Sequence, residues 1–134
     1  MSKVTRVNPD ELLKWPGLAQ VSVSNARRMV FVAGQTATDK DFQTIGLGDL
    51  RAQTICAYRH LRIALESVGA SVEDLLSSTV YIVGLNEDRT AIFASAIEDV
   101  FDGDPLPPHS MTLIGVSSLS GSEVLIEISA TAAL

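Results

Sequence analysis

The sequence holds a single cysteine, Cys56, among its 134 residues. One thiol closes no internal disulfide and makes no zinc site, so a reducing, cytoplasmic setting is expected; no cofactor is expected either. Long apolar runs are missing too. None approaches the roughly 18 uninterrupted apolar residues of a membrane helix, which excludes an integral membrane protein. Met1 to Pro9 carries basic residues but no apolar core, so no secretory signal is read there. Aromatic residues make up only 5% of the chain, and cations are scarce after its midpoint. Residues 73–134 hold 1 basic and 10 acidic side chains, against 9 and 6 in residues 1–72. The net charge of −6 argues against general binding to a phosphate backbone, although Arg27, Arg28, Arg59 and Arg62 leave room for a local basic patch. No repeat, low-complexity tract or Pro/Gly-rich linker divides the chain, so residues 1–134 are expected to form one domain.

What the chain does have is apolar bulk. Hydrophobic residues make up 46% of it, and its mean hydropathy of +0.25 is high for so small a protein. Such an excess points to surface hidden against other subunits.

Asn8-Pro9-Asp10-Glu11 reads as a turn into one short helical turn, ended by Trp15-Pro16-Gly17. Ala19 to Ser24 alternates like a strand, Ser24 to Arg27 turns, and Met29 to Ala33 reads as the second strand of a hairpin, closed by Gly34. After a loop from Thr36 to Gly48, Asp49 is placed to cap a helix running to Val68, with Gly69 just past its end. Its apolar stripe is Leu61, Ala64, Leu65 and Val68. Ser71 to Asp74 resembles a capping box, and Ser77 to Val83 a strand. Asn86 caps a second helix, whose stripe is Ile92, Phe93, Ala96, Ile97, Val100 and Phe101. Met111 to Val116 and Val124 to Ala130 close the chain as two strands. The expected fold is α+β, in the order β-β-α-β-α-β-β, with two helices on one face of a mixed sheet and the other face needing a partner.

Several segments together resemble the RidA family, also called YjgF/YER057c/UK114. They are Val30 to Gln35, Asp49 to Thr54, Gly69 to Asp74 leading into Thr79 to Ile82, and Leu125 to Ile128. The resemblance begins at about Gly17 and implies a chorismate-mutase-like fold. It further implies a homotrimer with a central barrel and three small-molecule pockets between subunits. Active members hydrolyse reactive enamines and imines such as 2-aminoacrylate. They use an arginine that grips the substrate carboxylate in bidentate fashion and a glutamate that positions or activates water. The glutamate corresponds to Glu127. The arginine position falls on Met111, within His109-Ser110-Met111-Thr112; a frequent tyrosine falls on Leu18 and a frequent serine on Ala33.

Glu127 and His109 are therefore the candidate catalytic residues, with Leu18, Ala33, Gly34, Ser110 and Met111 as candidate ligand-binding positions and no metal site. Each has a plainer reading. Met111 suits an irregular gap in a core, Glu127 a paired interface carboxylate, and His109 a loop surface. His60 lacks a partner cue, and Cys56 reads as a small apolar helix residue rather than a nucleophile. The function expected is binding of a small carbonyl, imine or carboxylate metabolite between subunits, with imine or enamine hydrolysis of the 2-iminobutanoate/2-iminopropanoate deaminase type if the chain is catalytic. The alternative is a non-catalytic metabolite-binding, regulatory or chaperone-like module. Endoribonuclease activity is a third reading, which lacks a His/His or His/Lys pair to support it.

Overall fold

A computed structural model describes residues 3–134. Strand β1 spans Val4–Val7, β2 Val21–Ser24 and β3 Met29–Gln35; helix α1 follows at Leu50–Glu66. A 3-10 turn at Val72–Asp74 leads into β4, Leu75–Val83; then come α2, Glu87–Ala96, β5, Ser110–Val116, and β6, Ile126–Ala133. The main sheet has the order β3-β6-β4-β5. β4 runs parallel to β5, and both β3 and β4 run antiparallel to β6, so the sheet is mixed as expected.

The hairpin expected of β2 and β3 does not form. β2 pairs with β1, a strand that four residues of Val-Thr-Arg-Val give no pattern long enough to announce. β3 instead turns away to pair with β6, whose eight-residue alternation offers a longer partner than β2 does. Asn8 to Glu11 forms a turn, closed by Leu12 N–H donating to the Pro9 carbonyl at 3.1 Å, and not a helical turn.

Both helix starts are capped as the sequence implies. The Asp49 carboxylate accepts from Ala52 N–H at 3.0 Å, and the side-chain Oδ1 of Asn86 accepts from Arg89 N–H at 2.8 Å. α1 buries Leu50, Ala57, Tyr58, Leu61 and Leu65 against the sheet. It ends at Glu66, so Val68, expected on the buried stripe, lies beyond the helix and is exposed. Gly69 takes a φ of 82°, a left-handed turn that glycine adopts freely. α2 stops at Ala96; Ile97, Val100 and Phe101 are buried from the turns that follow it, while Ile92 faces outward. Tyr58 meets Phe93 and Phe101 at ring-centroid distances of 6.4 and 6.2 Å, which joins the two helices over the sheet.

Helices cover one sheet face only. From β6 they bury Ile126, Ile128, Ala130 and Ala132, and from β4 Val80 and Ile82. Among the described residues no helix is long and apolar enough to cross a membrane.

Candidate functional site

The open face of the sheet is built by the period-two alternation of its strands. Glu127, Ser129 and Thr131 point that way from β6, opposite Tyr81, Thr79 and Ser77 of β4. Across the parallel pair, Ser77 and Thr79 stand beside Ser110 and Thr112 of β5. Six hydroxyls thus form two rows over three strands, with Glu127 and Tyr81 continuing the next row. Ser110 Oγ lies 3.0 Å from Ser22 Oγ, which ties β2 to this edge. Two depressions share the β4 hydroxyls. One, of about 260 Å³, lies among Phe31, Thr79, Ser129 and Thr131. The other, of about 470 Å³, runs along β5 past Leu13, Leu18, Gln20, Ser110 and Thr112. The alternation of Ser77-Thr79-Tyr81 and Glu127-Ser129-Thr131 was the sequence signal for these hydroxyls, and reading each strand for its apolar set alone passed over it.

Glu127 is half-buried, and its carboxylate makes no hydrogen bond or ion pair with another described residue. What holds its position is a gap. The β3–β6 register slips between Val32 and Gln35, so that Ala33 and Gly34 together oppose Ser129 in a bulge. Glu127 lies over the bare backbone of Gly34. A Cβ built there would stand 2.5 Å from Oε2, 2.6 Å from Cδ and 2.9 Å from Cγ. Gly34 is not among the residues of positive φ, so glycine serves here for its empty volume rather than its backbone freedom.

The structure divides the sequence-derived site into two groups. Glu127, Ala33 and Gly34 come together at the β3–β6 seam, while Leu18, His109, Ser110 and Met111 gather at the β5 edge, with Leu18 bridged to His109. β5 lies two strands from β6, roughly 10 Å away within one protomer. Ser110 faces the open side. Met111 also borders the larger depression, while its side chain packs against the helix-side core and the Tyr58 hydroxyl donates to its Sδ at 3.9 Å. Burial pushes the Tyr58 phenol far above its ordinary pKa, so it stays a neutral donor.

His109 lies wholly inside, not on a loop surface. Its Nδ1 lies 2.8 Å from the Pro107 carbonyl, an acceptor only, so Nδ1 carries the proton and donates. Nε2 then accepts from the Ser78 hydroxyl at 2.7 Å. Burial lowers the pKa of His109, the Pro107 bond opposes that shift, and the charge of Arg6 adds to it. The ring is neutral near pH 7, with both nitrogens engaged in holding the entrance of β5 to β4. His60 also finds a partner, its Nδ1 lying 2.8 Å from the Thr36 carbonyl and its Nε2 3.7 Å from Cys56 Sγ. Burial raises the Cys56 thiol above its usual pKa, against the lowering charge of Arg59, which suits an inert packing role. Among the described residues no three His, Cys, Asp or Glu side chains gather as metal ligands. A larger depression, of about 620 Å³, lies between the start of α1 and α2, on the helix layer and away from Glu127.

Residues 18–134 match the family model described as Endoribonuclease L-PSP. The chain belongs to this family, the RidA or YjgF group. A RutC family protein of Pyrococcus abyssi is 34% identical over 105 residues, covering 77% of this chain and 76% of the relative. A Yersinia pestis protein of unknown function, from the conserved Rid protein family, superposes with a TM-score of 0.88 at 28% identity, covering 99% of this chain and all of that one. A Mycobacterium tuberculosis member of the YjgF/YER057c/UK114 family gives a TM-score of 0.60 at 25% identity, covering 88% and 87% of the two chains. The RidA-type fold is thus shared along nearly the whole length, β1 included.

Proposed function

We propose that this RidA family member is a cytoplasmic homotrimer of one domain each, residues 1–134, which binds a small carbonyl or imine metabolite in clefts between subunits and hydrolyses a reactive imine or enamine there. The observation that carries this reading is Glu127, a carboxylate set over Gly34 on the uncovered sheet face and left without a partner among the described residues of its own protomer. Such a group is placed to accept a proton from a water that attacks an electrophilic carbon. The two separated groups of site residues support a shared cleft, in which the β5 edge of one subunit, with Leu18 and Ser110, closes over the Glu127 seam of another. Exposed Met29 and Phe31 on β3 supply apolar surface for that contact; Phe31 is 77% exposed in the single chain. His109 is assigned a positioning part, because its Nδ1 proton is held by the Pro107 carbonyl and its Nε2 is occupied by Ser78, which leaves no nitrogen to exchange a proton with a ligand. RNA cleavage is disfavoured by the net charge of −6 and by the absence of any charged side chain from the walls of both open-face depressions.

The test combines assembly and turnover. Sedimentation should give three times the 14.3 kDa chain mass. Imines generated in situ from a panel of amines and amino acids should release ammonia faster with the protein than without it. Glu127→Gln should lower that acceleration about 100-fold or more while leaving the fold intact. No acceleration with any imine, or equal rates for the folded variant, would remove the hydrolytic reading.

A further inference from the structure

The charges on the open sheet face also say which substrates the site favours. Every side chain lining the two open-face depressions is a hydroxyl, an amide or apolar; none is Lys, Arg or His. The position from which a cation would have been expected holds Met111, which borders the larger of these depressions without charge and accepts the Tyr58 hydroxyl at its Sδ. Among the cations on neighbouring elements, Arg89 Nη1 donates to the Val83 carbonyl, and Arg27 and Arg28, just before β3, line neither depression. Arg6, opposite Ser22 in the β1–β2 register, donates to the Glu73 carbonyl at 2.9 Å and lies 3.7 Å from its carboxylate. Arg51 and Arg62 of α1 pair with Asp99 and Asp102 on the helix layer. Glu127 is therefore the single formal charge on the row it shares with Tyr81, two residues along β6 from the Ser129 wall of the smaller depression. An anionic ligand brought to this face meets the Glu127 carboxylate and no cation on the walls of either depression, within a protein whose net charge is already −6.

We propose that the site takes a cationic nitrogen compound without a carboxylate: an iminium derived from a simple amine, rather than the imine of an amino acid. The proposal rests on the hydrolytic reading of Glu127 for its chemistry and on the charge inventory for its specificity. In the step itself, water adds to the iminium carbon, the C–N bond breaks and a C=O bond forms. Both protons of the water end on nitrogen, so iminium and water become a carbonyl compound and ammonium. Glu127 takes one of these protons in transit and gives it up to the leaving amine. Its negative charge favours the positively charged reactant throughout, and the hydroxyl rows supply donors and acceptors without adding charge.

Binding of stable probes separates this specificity from turnover. 3-Phenylpropylammonium, 3-phenylpropionate and neutral 3-phenylpropanamide share one ring and chain length and differ in the charge of the head group. Titrated at low salt into the assembled protein and followed by NMR, the ammonium should bind about tenfold or more tightly than the carboxylate, with the amide between them. Glu127→Gln should shrink the ammonium-to-carboxylate ratio to about twofold, and added salt should shrink it in the wild type. A carboxylate that binds as well as the ammonium, a ratio that survives Glu127→Gln, or failure of all three probes to bind would overturn the proposal. Preferential ammonium binding without ammonia release from any iminium would keep the specificity and remove the hydrolytic step. Hydrolysis confined to carboxylated imines would do the reverse.

Discussion

Along β6, side chains one position apart occupy different surroundings. Ile126, Ile128, Ala130 and Ala132 lie under the helices, while Glu127, Ser129 and Thr131 alternate with them on the uncovered side. The helix side is closed by dispersion and area, with Tyr58, Phe93 and Phe101 in mutual contact and the buried hydroxyl of Thr54 satisfied by the Leu50 carbonyl at 2.7 Å. The open side has hydroxyls, a carboxylate and the exposed Phe31. One face supplies stability and leaves the other free to carry polar groups that a core could not tolerate unpaired.

The sharpest way to break that contrast is to truncate neighbours on opposite faces. Ile128→Ala should cost about 2–5 kcal/mol in denaturant unfolding, from lost transfer energy and the cavity left behind. Ser129→Ala, one residue on, should stay within about 0.5 kcal/mol. Equal costs would mean that the open face is itself sealed as a core. A smaller effect should follow acid. His109 is held with a pKa below its unfolded value, so as pH falls the unfolded chain takes up the proton first. Its contribution to stability is complete above about pH 6.5 and declines as pH drops below that toward the folded pKa. Stability measured across that range should fall less in His109→Asn than in the wild type, and parallel curves would detach the histidine from the helix-side packing. The smallest effect is local. Asp49→Ala should remove the α1 cap at about 1 kcal/mol and leave ligand affinity on the open face unchanged.

Much of the helix side was legible in the sequence, because caps and apolar spacing are local signals. Asp49, Asn86 and Gly69 sit where their chemistry requires, and Leu61, Leu65, Phe93 and Ile97 are buried. Strand partnership was not legible. β1 is too short to show a period, and β2 and β3 are adjacent in sequence but belong to different sheets. Within the site, Glu127 and Gly34 were readable as residue types, but their mutual contact depends on a bulge that shifts register between Val32 and Gln35. The direction of Met111 depends in turn on its pairing with Ser78 across β4 and β5, which sets both side chains toward the helices. A family correspondence assigns a position, whereas the pleat of the sheet assigns the side.

Gly34 carries this furthest. An alanine there would add one methyl group to an exposed strand end, a change that ordinarily passes unnoticed in a stability measurement. In this molecule that methyl would occupy the place of the Glu127 carboxylate. A survey that removed side chains one at a time to find the functional ones would pass over the residue, since it has nothing to remove. The site is set as much by a volume the chain leaves vacant as by the groups it presents, and adding matter there is the way to expose it.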